Sequence, residues 1–445
     1  MKQLNRRQFL KMGALVAGGA ALASCAPAAT PAPAAPAAPA EQKPAEPAKP
    51  AAGAQKLEIF SWWTSGGEIE ALNGLFEVYK KRYPGVEIVN AAIAGGTSSG
   101  GDMKAVLQTR MMGGDPPESF QVHLGGELLG SYVAAGQMED LEFLYKEEGW
   151  DKVFPKTLIE IASADGKPYS VPVNIHRSNM MWYSKKLLDS VGAQPPKNWD
   201  EWFVLAEKLK AKGQPTLAIA ESGAGFTAHV FETMMIPVLG PDKFTGLFNG
   251  KTSWEDKGIA DALEILKRAL DYANPDFLNV SWGDVNDLLV NGKVGMIIQG
   301  DWTPGVLWSK KFEDFGWAPA PGNDGIYQML SDSFGLPKKV KNREAAINWL
   351  RVCGSKEGQD AFNPAKGSIP ARIDADITKY GPYHKWAMEA WKKDKLVPSI
   401  VHGAAAKLSF MTDFMNAINV FATKKDVAAT HAALVKAAKD AGLQK

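Results

Sequence analysis

Glu58-Ile59-Phe60-Ser61-Trp62-Trp63-Thr64 is a short apolar stretch that ends in two adjacent tryptophans. The stretch predicts a β-strand that starts near Leu57 and is buried in a core. Consecutive side chains of a strand point to opposite faces, so the core cannot easily accept both indoles. We therefore expect Trp63 to form a flat binding surface in a cleft, while the pattern leaves Trp62 open between cleft and core.

Strands and helices alternate after this stretch. The hydrophobic spacing predicts a helix over 69–83, a strand over 86–93, a helix over 103–111 and a strand over 119–123. A β-α-β-α-β order favours a mainly parallel sheet with helices on both faces. Ligands of such sheets lie beyond the carboxyl ends of the strands. The pair Trp62-Trp63 and the segment Gln121 to His123 both fall at such ends.

The N-terminus indicates export from the cytoplasm. Residues 1–25 carry four basic residues and no acidic one, and a small apolar run precedes Cys25. This pattern is typical of a signal peptide. Arg6-Arg7 resembles a twin-arginine signal, and Leu22 to Cys25 resembles a lipobox in which the cysteine is acylated. We expect an extracytoplasmic protein, anchored to the cell membrane by lipid at Cys25, with residues 26–55, almost all Ala and Pro, as a disordered tether.

Charge and cysteine content exclude several functions. Removal of residues 1–25 leaves 46 Lys and Arg against 49 Asp and Glu, a formal charge of −3. This balance argues against a nucleic-acid partner. Cys353 lies in a helical pattern and is interpreted as a small buried residue, not a nucleophile. No two His or Cys residues have metal-ligand spacing, so neither a metal nor a cofactor is expected.

Enzymatic motifs are weak. The run Gly95 to Gly101 lacks the Gly-Lys-Ser/Thr ending of a phosphate loop and predicts a mobile turn instead. No Gly-x-Ser-x-Gly elbow is present. A glycosidase needs two carboxylates that flank one bond, and Asp332 with Glu68 could supply them. A secreted carbohydrate-active enzyme therefore remains the alternative function.

The body of the chain, 56–445, is long enough for two domains. Spaced motifs along it resemble the extracellular solute-binding proteins of ABC sugar importers. They are Gly166 to Asn174, Met181 to Leu188, Pro195 to Trp202, Asn291 to Trp302, Gly354 to Gln359 and Gly367 to Arg372. Asn198 replaces the usual Thr of the third motif, and either side chain can accept a helix N-cap hydrogen bond.

The resemblance implies an α/β periplasmic-binding-protein fold of type II-like topology. Two lobes, each a mainly parallel sheet flanked by helices, would be joined by a hinge with three crossings. The implied lobes are 56–171 with 329–369, and 172–328 with 370–445. The implied function is that of a non-enzymatic, monomeric receptor that delivers a sugar to membrane permease subunits when the hinge closes.

Further stretches resemble a subgroup of this family that binds glucose or galactose in thermophilic bacteria. They are Gly114 to Pro117, Phe120 to His123, Val171 to Asn179, Leu330 to Pro337 and Val401 to Gly403. Carried over by position, the implied sugar contacts are Trp62, Trp63, Gln121, His123, Trp282, Trp302, Asp332, Lys366 and His402. Glu68 is a weaker member, because the loop after Trp63 differs from the subgroup's acidic turn. His176 is either a ligand or a hinge histidine.

The chemistry of these side chains suits a pyranose. Such a sugar has an apolar C–H face, which stacks on tryptophan, and a rim of hydroxyls. An ionised Asp accepts from two hydroxyls, Lys donates, and neutral His or Gln can do both. We interpret Asp301 as a cap of the following helix, and His229, His384 and His431 as ordinary helix or surface positions.

Overall fold

The computed structural model describes residues 55–93, 100–222 and 225–444. The predicted signal peptide, Cys25, the tether up to residue 54 and the glycine-rich run over 95–99 lie outside these residues. No described helix combines the length and the apolar character that a membrane span requires.

The strands within the described residues form two larger sheets and two smaller ones. The first sheet has the spatial order Glu87–Asn90, Lys56–Phe60, Ser119–His123, Asp332–Gly335 and Ser170–Pro172. The second sheet has the order Phe315–Pro319, Met180–Ser184, Met296–Ile298 and Leu217–Ala218. A three-stranded sheet has the order Lys395–Pro398, Ile326–Leu330 and His176–Arg177, and a two-stranded sheet pairs Ser163–Ala164 with Lys167–Pro168.

The sheets are mixed, so the expectation of mainly parallel sheets is wrong. The first three strands of the first sheet are parallel, whereas Asp332–Gly335 runs antiparallel to both of its neighbours. In the second sheet, Met180–Ser184 is antiparallel to both of its neighbours. A helical crossover makes consecutive strands parallel, but Asp332–Gly335 enters the first sheet directly from Ile326–Leu330 in another sheet. Its direction therefore follows from that passage and not from a crossover.

The helices cover the sheets and follow the predicted periodicity. They are Gly66–Arg82, Gly101–Gly113, Glu142–Glu148, Lys156–Ile161, Lys185–Ser190, Trp199–Lys210, Phe226–Leu239, Pro241–Gly246, Lys257–Ala269, Trp282–Val290, Thr303–Ser309, Arg343–Gly354, Lys356–Lys366, Pro382–Lys393, Leu408–Lys424 and Val427–Ala441. Leu128–Val133 is a π-helical segment, and Trp150–Lys152, Leu270–Tyr272 and Ile377–Lys379 are 3₁₀ turns. The Asn198 side chain accepts a hydrogen bond from Glu201 N at 2.9 Å, as the N-cap prediction requires.

The buried apolar residues form two hydrophobic cores. One contains Ile59 and Phe334 of the first sheet and extends to Trp182 of the second sheet, and the other contains Phe231 and Phe414. The arrangement is a two-lobed α/β fold. Cys353 is a buried member of the first core, where burial raises the pKa of its thiol well above the ordinary value, as expected for an unreactive structural cysteine.

The chain passes between sheets beside the carboxyl ends of the first sheet's strands. It leaves the first sheet at Pro172, enters the three-stranded sheet at His176, and returns between Leu330 and Asp332. Ile175 and Ile369 exchange backbone hydrogen bonds of 2.8 and 3.0 Å, which brings a third segment alongside. The predicted lobe boundaries remain a prediction, but these three neighbouring segments define where the candidate site lies.

Candidate functional site

Asp332 stands at the centre of a buried polar group. It opens the strand Asp332–Gly335, opposite His123 in the register, and only 2% of its surface is exposed. Its Oδ1 accepts from Gln121 Nε2 at 2.8 Å, and its Oδ2 accepts from Asn174 Nδ2 at 2.8 Å. Asn174 Oδ1 in turn accepts from the backbone N–H of Asp332 at 2.8 Å. Sequence analysis did not identify Asn174 as a site residue, although it lies within a family motif.

His176 lies between two carboxylates. Its Nε2 is 3.2 Å from Asp332 Oδ2, and its Nδ1 hydrogen-bonds to Asp301 Oδ1. Burial alone would lower the pKa of His176, but the charge of Asp301 and the contacts with both carboxylates raise it above its ordinary value. We therefore treat His176 as an imidazolium that links the two acidic residues.

Asp301 is not a helix cap, so that interpretation is wrong. The helix Thr303–Ser309 has Trp302 as its N-cap residue and receives no side-chain cap bond. The second oxygen of Asp301 accepts instead from Arg177 N at 3.1 Å and from the Tyr383 hydroxyl at 3.0 Å. The residue orients His176, because these contacts fix the carboxylate in place.

Asp332 is held as an anion. Burial works to raise its pKa, but the hydrogen bond and charge of His176, followed by the charges of Lys366 and His123, hold the pKa of the Asp332 carboxyl well below its usual range. An acid of this kind does not donate a proton near neutral pH, which argues against a general-acid role in glycoside hydrolysis. Glu68, the other predicted carboxylate, forms a 2.6 Å ion pair with Lys366.

The two adjacent indoles have different surroundings. Trp63 is 0% exposed, and its ring lies 5.0 Å from Phe362 and 5.8 Å from Phe334. Trp62 is half-buried, with its ring 5.0 Å from that of His123 and 5.0 Å from Lys104 Nζ. The rings are inclined by 64° to each other. The strand alternation thus separates the pair, but the packing favours Trp62 and not Trp63 as the cleft surface.

His123 has a fixed orientation. Its Nδ1 lies 2.9 Å from Glu127 Oε2, and its Nε2 lies 3.6 Å from Asp332 Oδ1. Lys104 Nζ also donates to Glu127 Oε2, at 2.8 Å, and both of these charged side chains are buried. Burial opposes the charge on Glu127, but Lys104 and His123 together lower the pKa of the carboxyl. Glu127 is therefore a carboxylate that accepts from the imidazole.

Several histidine rings surround the indole of Trp302. Trp302 is 6% exposed, and its ring lies 4.7 Å from His402, 5.4 Å from His176 and 5.8 Å from His229. His402 in turn lies 6.0 Å from His123. The ring contacts bring the predicted residues Trp302, His402, His176 and His123 together in one cluster.

Trp282 is one step removed from this cluster. It is the first residue of the helix Trp282–Val290. Its ring packs 5.3 Å from Phe226, which lies 6.0 Å from His229. Trp282 therefore connects to the group through Phe226.

His229 and Glu232 were missed by sequence analysis. Both are completely buried on the helix Phe226–Leu239, three residues apart. His229 Nε2 donates to Ser178 O at 3.1 Å. Burial, followed by the charge of His402, lowers the pKa of His229 to about 3. The available signal was a His and a Glu inside a helix that is apolar on every face, where a polar residue must be satisfied internally.

The other two histidines that we interpreted as ordinary helix or surface positions have different neighbours. His384 is buried with its ring 5.3 Å from Trp308, and His431 Nε2 lies 2.8 Å from Trp254 O.

Three of these side chains have the composition of a metal site. His229, Glu232 and His402 offer ligand atoms within 4.8 Å of one another, a grouping that the sequence spacing did not predict. Zinc accepts such ligands. However, Ser399 Oγ lies 2.8 Å from Glu232 Oε1 and 2.9 Å from His402 Nδ1. The serine therefore already satisfies two of the three ligands by hydrogen bonding.

Two helices approach each other closely at glycine residues. The helix Thr303–Ser309 packs against the start of the helix Gly66–Arg82. A Cβ atom on Gly67 would lie 2.7 Å from Gly305 O, and one on Gly305 would lie 2.6 Å from Ala365 O. Backbone therefore meets backbone at this contact.

The chain matches the bacterial extracellular solute-binding protein family over residues 64–360, and a twin-arginine translocation signal over residues 3–23. It is 36% identical over 380 residues to an uncharacterized ABC transporter extracellular-binding protein of Pyrococcus horikoshii, covering 84% of this chain and 85% of that one. It is 32% identical over 365 residues to a probable sugar-binding periplasmic protein of Brucella suis, covering 79% and 84%.

Solved structures share the fold. A chitin oligosaccharide binding protein superposes with a TM-score of 0.77 at 20% identity, covering 87% of this chain and 99% of that one. The solute receptor AcbH, whose reported substrate preference is exclusively β-D-galactopyranose, gives a TM-score of 0.77 at 19% identity with the same coverage. The signal match confirms export from the cytoplasm. The chain therefore belongs to the bacterial extracellular solute-binding proteins and, among them, to the sugar-binding proteins of ABC transporters.

Proposed function

We propose that this protein binds a neutral sugar, either a glucose- or galactose-like monosaccharide or a short oligosaccharide, and delivers it to an ABC importer. The observation that carries the proposal is the anionic Asp332 beside Gln121 and His123. An ionised carboxylate accepts strongly from hydroxyl groups. Gln121 and His123 add donors or acceptors at the same place.

The aromatic side chains support a sugar ligand. Trp62 on one side and Trp302 on the other border the histidines. Indole faces bind the apolar C–H face of a pyranose. None of the described side chains that hydrogen-bond to Asp332 is an arginine, and an anionic carboxylate at the centre disfavours an anionic ligand.

The placement of these residues supports capture by hinge closure. In the proposed division, the first lobe supplies Trp62, His123 and Asp332, and the second supplies Trp302 and His402. A ligand that contacts both lobes binds the closed form more tightly and shifts the hinge equilibrium toward it. The closed form would then dock on the permease, with the monomeric receptor held at the membrane by a lipid on Cys25.

Calorimetry with a sugar panel tests the proposal. The purified mature protein is titrated with glucose, galactose, several disaccharides and glucuronate, and each mixture is then analysed for products. We expect one or more neutral sugars to bind, with a dissociation constant in the micromolar range or about −8 kcal/mol, and to remain unchanged. Glucuronate is the matched anionic control and should bind much more weakly. Release of monosaccharide from a disaccharide would instead establish the glycosidase alternative.

A further inference from the structure

Glu232, Ser399 and His402 form a buried hydrogen-bonded chain. The Ile400 backbone N–H at 2.6 Å and the Val401 backbone N–H at 3.2 Å both donate to Glu232 Oε2. This anchors one oxygen and turns Oε1 toward Ser399, whose hydroxyl donates to it at 2.8 Å. The next link is the 2.9 Å contact between Ser399 Oγ and His402 Nδ1.

The chain determines which nitrogen of His402 carries the proton. A serine hydroxyl has one proton, and that of Ser399 is donated to Glu232. Its oxygen can then only accept from His402, so Nδ1 carries the hydrogen and Nε2 carries the lone pair. We propose that Glu232 is a positioning residue that acts through Ser399 to hold His402 in the tautomer whose Nε2 accepts a hydroxyl proton from the sugar. This inference rests on the proposed function.

His402 is a neutral imidazole, so its tautomer matters. Burial, and then the charges of His123, His176 and Lys104, keep the pKa of His402 well below its ordinary value. The ring lies between those of Trp302 and His123, at 4.7 and 6.0 Å. It therefore packs directly beside His123, which in turn lies 3.6 Å from Asp332.

His123 is also oriented by a buried glutamate. Its Nδ1 lies 2.9 Å from the buried carboxylate of Glu127. A carboxylate can only accept, so Nδ1 of His123 donates to Glu127. The ligand class that fits is a polyol, which donates one hydroxyl proton to Nε2 of His402 and has further hydroxyls for Asp332 and His123.

The isosteric variant Glu232→Gln gives a sharp test. The two backbone N–H groups require an acceptor, so the amide oxygen of the new side chain must face them. Its NH₂ group then faces Ser399 and donates to Oγ, and the Ser399 proton turns to His402 Nδ1. We therefore expect the proton of His402 to move to Nε2 with almost no change in side-chain volume.

Nitrogen-15 NMR of histidine-labelled protein without ligand measures the tautomer, and calorimetry with D-glucose measures the affinity. Signals of His402 are assigned with a His402→Gln sample. In the Glu232→Gln variant we expect the tautomer to switch and the affinity for D-glucose to fall at least tenfold. A folded variant that keeps the original tautomer would overturn the inference.

Ser399→Ala is the matched control, because it breaks the chain and leaves Glu232 in place. We expect His402 to populate both tautomers in this variant, and the affinity for D-glucose to fall. A single, unchanged tautomer in Ser399→Ala would overturn the inference even if Glu232→Gln does not fold. The NMR measurement needs no ligand, so it tests the positioning role separately from sugar binding. If the tautomer switches in Glu232→Gln but neither the wild type nor the variants bind a sugar, the positioning role stands and the proposed function is refuted.

Discussion

Burial of His229 should make the stability of the protein depend on pH. The side chain is 0% exposed and its Nε2 donates to Ser178 O. Burial and the charge of His402 lower its pKa to about 3, whereas a histidine in the unfolded chain has a pKa of about 6.5. As the pH falls, the unfolded state therefore takes up a proton before the folded state does.

The size of the effect follows from these two pKa values. The pKa of His229 is lower in the folded state than in the unfolded state. Its contribution to stability is therefore complete above the unfolded-state pKa and is lost as the pH falls toward the folded-state pKa. One proton changes the free energy of unfolding by about 1.4 kcal/mol per pH unit in that window. Between pH 7.5 and 4.5, His229 alone should lower the free energy of unfolding by about 2.7 kcal/mol.

The assay is urea unfolding at several pH values from 7.5 to 4.5, for the wild type and for His229→Gln. Glutamine can still donate to Ser178 O but does not titrate. The variant starts from a lower stability because its side chain fills the site less well. Below pH 6 its stability should fall less steeply, by about 1.4 kcal/mol per pH unit. Parallel curves would refute the reasoning, because they would mean that folded His229 takes up a proton as readily as unfolded histidine.

Two further predictions concern the binding site. Asp332→Asn removes the anion and places its NH₂ group against the amide donor of either Gln121 or Asn174. The affinity for the bound sugar should fall at least tenfold by calorimetry, about 1.4 kcal/mol, and an unchanged affinity would remove Asp332 from the site. Trp62→Ala should weaken sugar binding with little loss of stability, whereas Trp63→Ala should lower the free energy of unfolding by about 3 to 5 kcal/mol in urea because it empties a closed core position. The reverse pattern would return Trp63 to the cleft.

Local patterns predicted the local structure well. The apolar spacing gave the helix that spans Gly66–Arg82, and the strand Ser119–His123 has the predicted bounds, because periodicity reflects which face a segment buries. The direction of Asp332–Gly335 could not be predicted in this way. It depends on where the chain comes from when it enters the sheet, and a strand's own side chains carry no information about that.

The candidate site was predicted in part. Family motifs pointed to Gln121, His123 and Asp332, which do contact one another. The pairing of Lys366 with Glu68 was not predictable, since it joins distant segments across the fold. Strand alternation separated the two adjacent indoles, but the expectation that Trp63 lines the cleft does not agree with its packing between Phe334 and Phe362. Which indole the core takes depends on the aromatic residues that pack against each one, and alternation carries no information about them.

The contact between Gly67 and Gly305 limits how this protein can change over evolution. At both positions the place of a side chain is already taken by a backbone carbonyl, that of Gly305 beside Gly67 and that of Ala365 beside Gly305. A single methyl group at either position would therefore push a neighbouring helix away. Any descendant that keeps these close approaches must keep glycine at both positions.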